Sequence, residues 1–151
     1  MKDIYHYQFL NENLSSSGMP TIEQMKEIAD AGVQLIINLA PHDVPNAILN
    51  EGNLANSLGM EYINIPVIWR APEQNAFTHF MDAMDAHASK KIHVHCEANY
   101  RASAFIMMYR VLRLGWKKKM PFPSWKRCGI PKIFRFGKIL LTNSCLIISK
   151  K

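Results

Sequence analysis

The sequence predicts an α/β fold in which a mostly parallel central sheet is flanked by helices on both faces. Two observations carry this expectation. From residue 20 to residue 115, short apolar runs of strand length alternate with stretches of helical period, the order expected of βα units. The helical stretches end at Gly32, Gly59 and Gly115, where a C-terminal cap favours a residue free to take positive φ. The chain has 151 residues, 48% of them hydrophobic and 20% charged. That is the size and composition of one compact domain, long enough to bury a core without disulfides.

Residues 1–15 are polar and aromatic, and no element is predicted there. A helix begins at Pro20-Thr21-Ile22-Glu23-Gln24, where Thr21 can cap and Gln24 can reach back to it. Ile22, Met25 and Ile28 follow at helical spacing, with Ala29 beside Met25. The apolar run 33–39 predicts a strand, broken by Pro41. A helix is expected over 46–58 and a strand over 61–67, where Tyr62 and Asn64 alternate with Ile63 and Ile65. The next helix runs over about 73–87, with Phe77, Phe80, Met81 and Met84 on one face. A strand at 91–95 and a buried helix at 101–114 complete the pattern.

The charge is unevenly placed. Residues 1–97 hold all 12 acidic residues and five Lys or Arg, whereas residues 98–151 hold 13 Lys or Arg and no acid. The expected organisation is therefore a domain over 1–116 and a basic tail over 117–151 of no assigned fold, with Pro121, Pro123 and Pro131. Lysines interleaved with Phe122, Trp125, Phe134 and Phe136 would suit contact with nucleic acid or anionic lipid. A disordered basic extension is the plainer reading. No run of about 18 apolar residues predicts a membrane span, and no apolar block near Met1 predicts a signal peptide. Three cysteines at irregular spacing, Cys96, Cys128 and Cys145, point to a reducing, cytoplasmic setting rather than a disulfide framework.

The chemistry concentrates in Val94-His95-Cys96-Glu97-Ala98-Asn99-Tyr100-Arg101-Ala102-Ser103, where a predicted strand hands over to a predicted helix. A loop entering a helix turns backbone N–H groups inward as an anion nest, and the helix dipole adds to it. A cysteine at that mouth tends towards the thiolate, and an arginine closing the loop can grip an oxyanion with two parallel hydrogen bonds. A lone cysteine after a buried strand is more often a small apolar residue. The strand-loop-helix context and the preceding His95 favour function. His93, His95 and Cys96 have the chemistry of metal ligands, but alternation sends Cys96 to the opposite face from both histidines. His95 is expected to orient the loop, and Trp69 and Arg70 to line the pocket mouth.

His95-Cys96 followed by Arg101 resembles the signature loop of the protein tyrosine and dual-specificity phosphatases. Ser17-Gly18-Met19-Pro20-Thr21, Ile36-Ile37-Asn38-Leu39 and the run from Gly59 to Val67 extend the likeness over about residues 8–116. They resemble bacterial tyrosine-phosphatase-like domains, in particular the group related to the phosphatase-like domain of beta-lactamase-fused hydrolases. The resemblance implies the cysteine-phosphatase fold, a Cys96 nucleophile that forms a phosphocysteine, and no metal or cofactor. Arg101 and the loop would hold the phosphoryl group, with Glu97, Ala98, Asn99 and Tyr100 inside it and His95, Ala102 and Ser103 flanking it. The substrate would be a phosphorylated protein, nucleotide or small molecule.

The sequence departs from that pattern in several places. Four residues, not five, separate Cys96 from Arg101. Rhodanese-type sulfurtransferases use such a short loop, so a persulfide carrier is the alternative enzyme. Glu97 sets a carboxylate beside the nucleophile and is expected to face solvent. No Asp follows the Ile65-Pro66-Val67 strand, which leaves Glu73 as the candidate general acid; an acid-less site would be a weak, phosphate-binding pseudophosphatase. Ser103, which would assist thiophosphate breakdown, lies two positions after Arg101 rather than next to it. The tail also departs, losing every acid where the family continues with an acidic closing helix. A shifted reading frame after about Trp116 would account for that.

Overall fold

The computed structural model describes residues 1–116, together with the backbone of 133–136, 139–142 and 146–148. Five strands form one sheet: β1 (Gln8–Asn11), β2 (Leu14–Ser17), β3 (Leu35–Asn38), β4 (Glu61–Asn64) and β5 (Ile92–His95). Their order is β1-β2-β5-β3-β4. The β1/β2 pair is antiparallel, and the other three pairings are parallel. Four helices connect the strands: α1 (Ile22–Asp30), α2 (Glu51–Ser57), α3 (Gln74–Ala86) and α4 (Tyr100–Leu112).

Local chemistry explains several boundaries. Thr21 caps α1 in a reciprocal box, with Gln24 N donating to Thr21 Oγ1 at 3.2 Å and Thr21 N donating to Gln24 Oε1 at 2.9 Å. Gly32 and Gly59 stand just past the caps of α1 and α2 with φ of 82° and 79°, a conformation that costs a residue with a Cβ. α3 starts and stops where the periodicity predicts, between caps at Glu73 and His87.

The sheet separates two cores. Leu35 and Ile37 pack with Phe77, Phe80 and Phe105 of α3 and α4, whereas Ile36 packs with Met25, Ile28 and Ala55 of α1 and α2. Alternation along a strand sends neighbours to opposite faces, so one apolar strand serves both layers. Edge-on ring pairs join α3 to α4, Phe77 to Phe105 at 5.3 Å and Phe80 to Phe105 at 5.6 Å. Such pairs add about 0.5–1.5 kcal/mol beyond area burial, and they hold α4 at the end of β5.

Two expectations are corrected. Residues 8–17, assigned no element from sequence, form the β1/β2 hairpin, and Leu14-Ser15-Ser16-Ser17 is buried throughout. The helix expected over 46–58 is shortened to α2 by a left-handed Asn50 at φ 56°. Beyond α4, strands β6 (Ile133–Phe136), β7 (Ile139–Thr142) and β8 (Leu146–Ile148) pair antiparallel in a second sheet. The rest of 117–151 lies outside the described residues, as do the nucleic-acid, basic-extension and reading-frame expectations for it. Among the described residues no helix is long and apolar enough to cross a membrane.

Candidate active site

Cys96 follows the last residue of β5, between the central strands β2 and β3. Its N–H donates to Ser17 O at 3.3 Å, and Met19 N donates to Glu97 O at 3.1 Å. The end of β2 therefore pins the start of the loop. Gly18 makes this approach possible. A Cβ there would lie 2.8 Å from Tyr5 Cδ1 and 3.0 Å from both Glu97 O and Tyr5 O.

The loop turns into α4 at Asn99, the left-handed N-cap with φ 66°, a conformation Asn tolerates better than most residues. Its side chain is used on both sides. Asn99 Nδ2 donates to His6 O at 2.7 Å, and Ser103 Oγ donates to Asn99 Oδ1 at 3.2 Å. His6 Nδ1 lies 3.1 Å from Ala98 O; a carbonyl can only accept, so Nδ1 carries the hydrogen. The His6 ring stacks at 6.0 Å on Tyr100. An N-terminal turn at Tyr5-His6 thus clamps the loop from outside.

A cavity of about 300 Å³ opens on this loop, lined by Trp69, Cys96, Glu97, Ala98, Tyr100 and Arg101. Arg101 is 7% exposed, and among the described residues its buried Nη1 has no hydrogen-bond partner. Nη2 lies 3.4 Å from Glu97 Oε2. The guanidinium also stands 5.9 Å from the centroid of the Trp69 ring, within cation–π reach. The arrangement is a buried cation with one unpaired nitrogen, in the same cavity wall as a buried thiol.

The predicted residues divide accordingly. Cys96, Arg101, Glu97, Ala98, Tyr100 and Trp69 share the cavity. Asn99 and Ser103 are not in its lining and bond to each other at the start of α4, and Ala102 is wholly buried in the core. Glu97 does not simply face solvent: its side chain is 43% exposed and turned to Arg101. Glu73 is exposed at the start of α3, outside the cavity lining, and so is Arg70. His95 makes no hydrogen bond to the loop. It is wholly buried, and its Nε2 lies 2.7 Å from Glu51 Oε1 in an ion-pair contact whose angle falls short of a linear hydrogen bond.

The layer beneath the loop was not foreseen. Glu51 is 2% exposed, and its Oε2 accepts from Asn38 Nδ2 at 2.7 Å and Tyr62 Oη at 2.9 Å. Burial works to raise its pKa, but His95, Tyr62 and Asn38 together outweigh it and hold the carboxyl below its ordinary value. His93 lies between two serines, 2.8 Å from Ser15 Oγ at Nδ1 and 2.9 Å from Ser17 Oγ at Nε2. Ser17 Oγ gives its one hydrogen to Gly18 O, so it can only accept from Nε2, and Nδ1 is left to accept from Ser15. The neutral tautomer that results matches a pKa pushed down to about 3, first by burial and then by His95. The period-two pair His93/His95 was the one sequence signal of this layer. Among the described residues no three His, Cys, Asp or Glu side chains gather as a metal site.

Comparison with known proteins places the chain. No family model matches it, and no curated protein matches it in sequence. A crystal structure of a DUF442 phosphatase-like protein from Shewanella putrefaciens CN-32 shares 41% identity, over 76% of this chain and 72% of that one, with a TM-score of 0.72. A second such structure shares 35% identity over 83% and 89%, also with a TM-score of 0.72. The core catalytic domain of the PP-IP phosphatase SIW14 from S. cerevisiae, at 18% identity, shares the fold over 85% of this chain and 79% of that one, with a TM-score of 0.69.

Proposed function

The chain belongs to the DUF442 family of tyrosine- and dual-specificity-phosphatase-like proteins, and we propose that it hydrolyses phosphate monoesters with Cys96 as nucleophile. The observation that carries this is the buried, unpaired Nη1 of Arg101, a residue that lines one cavity together with Cys96. A buried charged donor without a partner is costly, and a phosphoryl oxyanion is the group that satisfies it. The N-terminus of α4 adds favourable potential for the same anion.

In the proposed reaction the Cys96 thiolate attacks phosphorus. The S–P bond forms as the bond to the leaving oxygen breaks, and that oxygen takes a proton. Water then attacks the phosphocysteine, the S–P bond breaks, and phosphate leaves with the thiolate restored. Arg101 and the loop N–H groups hold the equatorial oxygens in both steps. No cofactor enters this scheme. The catalytic unit is residues 1–116, and the substrates are phosphorylated proteins or small phosphate esters.

Release of phosphate from an activated aryl phosphate, measured from mildly acid to neutral pH against a folded Cys96→Ser control, tests the nucleophile. Activated esters tolerate weak leaving-group protonation, so Cys96-dependent release is expected. Its absence, with thiosulfate or persulfide turnover in its place, would move the protein to sulfur transfer.

A further inference from the structure

We propose that Glu97 is the proton donor to the leaving group, and that bound substrate itself prepares Glu97 for this role. The inference rests on the phosphatase reading above and names the acid that reading lacks. Glu97 is the one carboxylic acid among the residues lining the cavity of Cys96 and Arg101. Glu73, the acid expected from sequence, is exposed at the start of α3 and does not line it.

Two features of the site suit the role. Glu97 Oε2 already reaches to 3.4 Å from Arg101 Nη2, and its side chain remains 43% exposed, with room to swing. Because Glu97 directly follows the nucleophile, its carboxyl stays within one side chain's reach of a phosphorus bonded to Sγ. A phosphoryl dianion entering the loop takes over the Arg101 donors. The carboxylate then loses its cation and gains an adjacent anion, and both changes favour its protonated form. As substrate binds, Glu97 takes a proton from solvent and becomes a carboxylic acid beside the leaving group; it returns that proton to solvent when phosphate leaves.

The balance closes over the cycle. In the first step the S–P bond forms, the electron pair of the breaking P–O bond goes to the leaving oxygen, and that oxygen takes the Glu97 proton. In the second step the Glu97 carboxylate takes one proton from the attacking water, whose oxygen bonds to phosphorus and keeps the other. The electron pair of the S–P bond returns to Cys96 as thiolate, and Glu97 is again protonated.

The test measures kcat and KM of Glu97→Gln and Glu73→Gln on phosphate monoesters graded from activated aryl to alkyl leaving groups, with thermal unfolding to confirm fold. In kcat/KM, which reports the first chemical step, Glu97→Gln is expected to lose about 10²–10⁴ on alkyl esters and far less on the most activated ester. On the activated ester kcat should fall as well, because the second step loses its base, and the basic limb of the kcat/KM–pH profile should disappear. An equal change in kcat/KM on every ester, or faster turnover with tighter inhibition by inorganic phosphate, would make Glu97 a competitor for Arg101 and overturn the proposal. So would a leaving-group-dependent loss in Glu73→Gln instead. Absence of Cys96-dependent turnover on the activated ester by the parent protein is a separate result. It removes the phosphatase reading itself, and the proposal with it.

Discussion

Glu51 shows how much of this site is held by one side chain. A carboxylate that is 2% exposed contacts His95, Asn38 and Tyr62 at once. Asn38 Oδ1 in turn accepts from Ala40 N at 2.7 Å, so the network also fixes the end of β3. Removing one member of a buried charged group leaves the others desolvated and unpaired, which typically costs about 3–5 kcal/mol. Glu51→Ala is therefore expected to lower stability by that order in urea unfolding, with Glu51→Gln, which keeps the shape, losing less. A loss below about 1 kcal/mol would show the network to be marginal to the fold. Nothing in the sequence marked Glu51. It falls inside the helix expected over 46–58 as one more polar residue, and it gains its role because α2 begins where Asn38 of β3, Tyr62 of β4 and His95 of β5 can reach it.

Between elements, the decisive contact is the crossing of the β2 end over the cysteine loop. Gly18 N donates to Tyr5 O at 2.7 Å, and Met19 N donates to Glu97 O at 3.1 Å. Two of the three atoms that a Cβ at Gly18 would strike are backbone oxygens, which cannot swing aside. Gly18→Ala is expected to push the loop outward, destabilise the protein by about 1–3 kcal/mol as overpacking does, and cut turnover of the activated ester at least tenfold. Parent-like kinetics would mean that the loop does not depend on this approach. The elements themselves were unevenly legible. α1 announced itself through Thr21, Gln24 and Gly32, because capping is a local interaction. β2 did not, because Leu14-Ser15-Ser16-Ser17 looks like a polar turn. Two of its three buried serines, Ser15 and Ser17, bond to His93 from the neighbouring strand.

For the molecule as a whole, the buried histidine layer sets a response to acid. Folding keeps His93 neutral, with its pKa pushed from 6.5 to about 3 by burial and by His95, while Tyr7, Ser15 and Ser17 complete its surroundings. The unfolded chain binds that proton and the folded chain does not. The contribution is complete above about pH 6.5 and is lost progressively as pH falls towards 3. Glu51, held below its ordinary value of 4.5, acts in the same direction at the acid end. Stability in denaturant titrations should fall on acidification from pH 6.5, by several kcal/mol in total on the order of 1.4 kcal/mol per pKa unit. His93→Gln, though less stable at neutral pH, should show a shallower slope across the same window. A flat profile in the parent would contradict the buried neutral ring.

The βα order, the Cys96–Arg101 loop at a strand-to-helix junction and the opposite facing of Cys96 and His95 are legible in the amino-acid order alone. All three follow from periods and spacings that repeat within a few residues. Only the tertiary structure decided which acid shares the cavity, which carboxylate pairs with His95, and that an N-terminal turn clamps the loop. Glu97 and Glu73 both stand near the nucleophile's elements in sequence, yet only Glu97 lines the cavity. Glu51 and His95 are 44 residues apart, as are many pairs that never meet, and His6 and Ala98 are 92 apart. Such contacts arise when separate elements close on one another, and no local pattern encodes the partner on the far side.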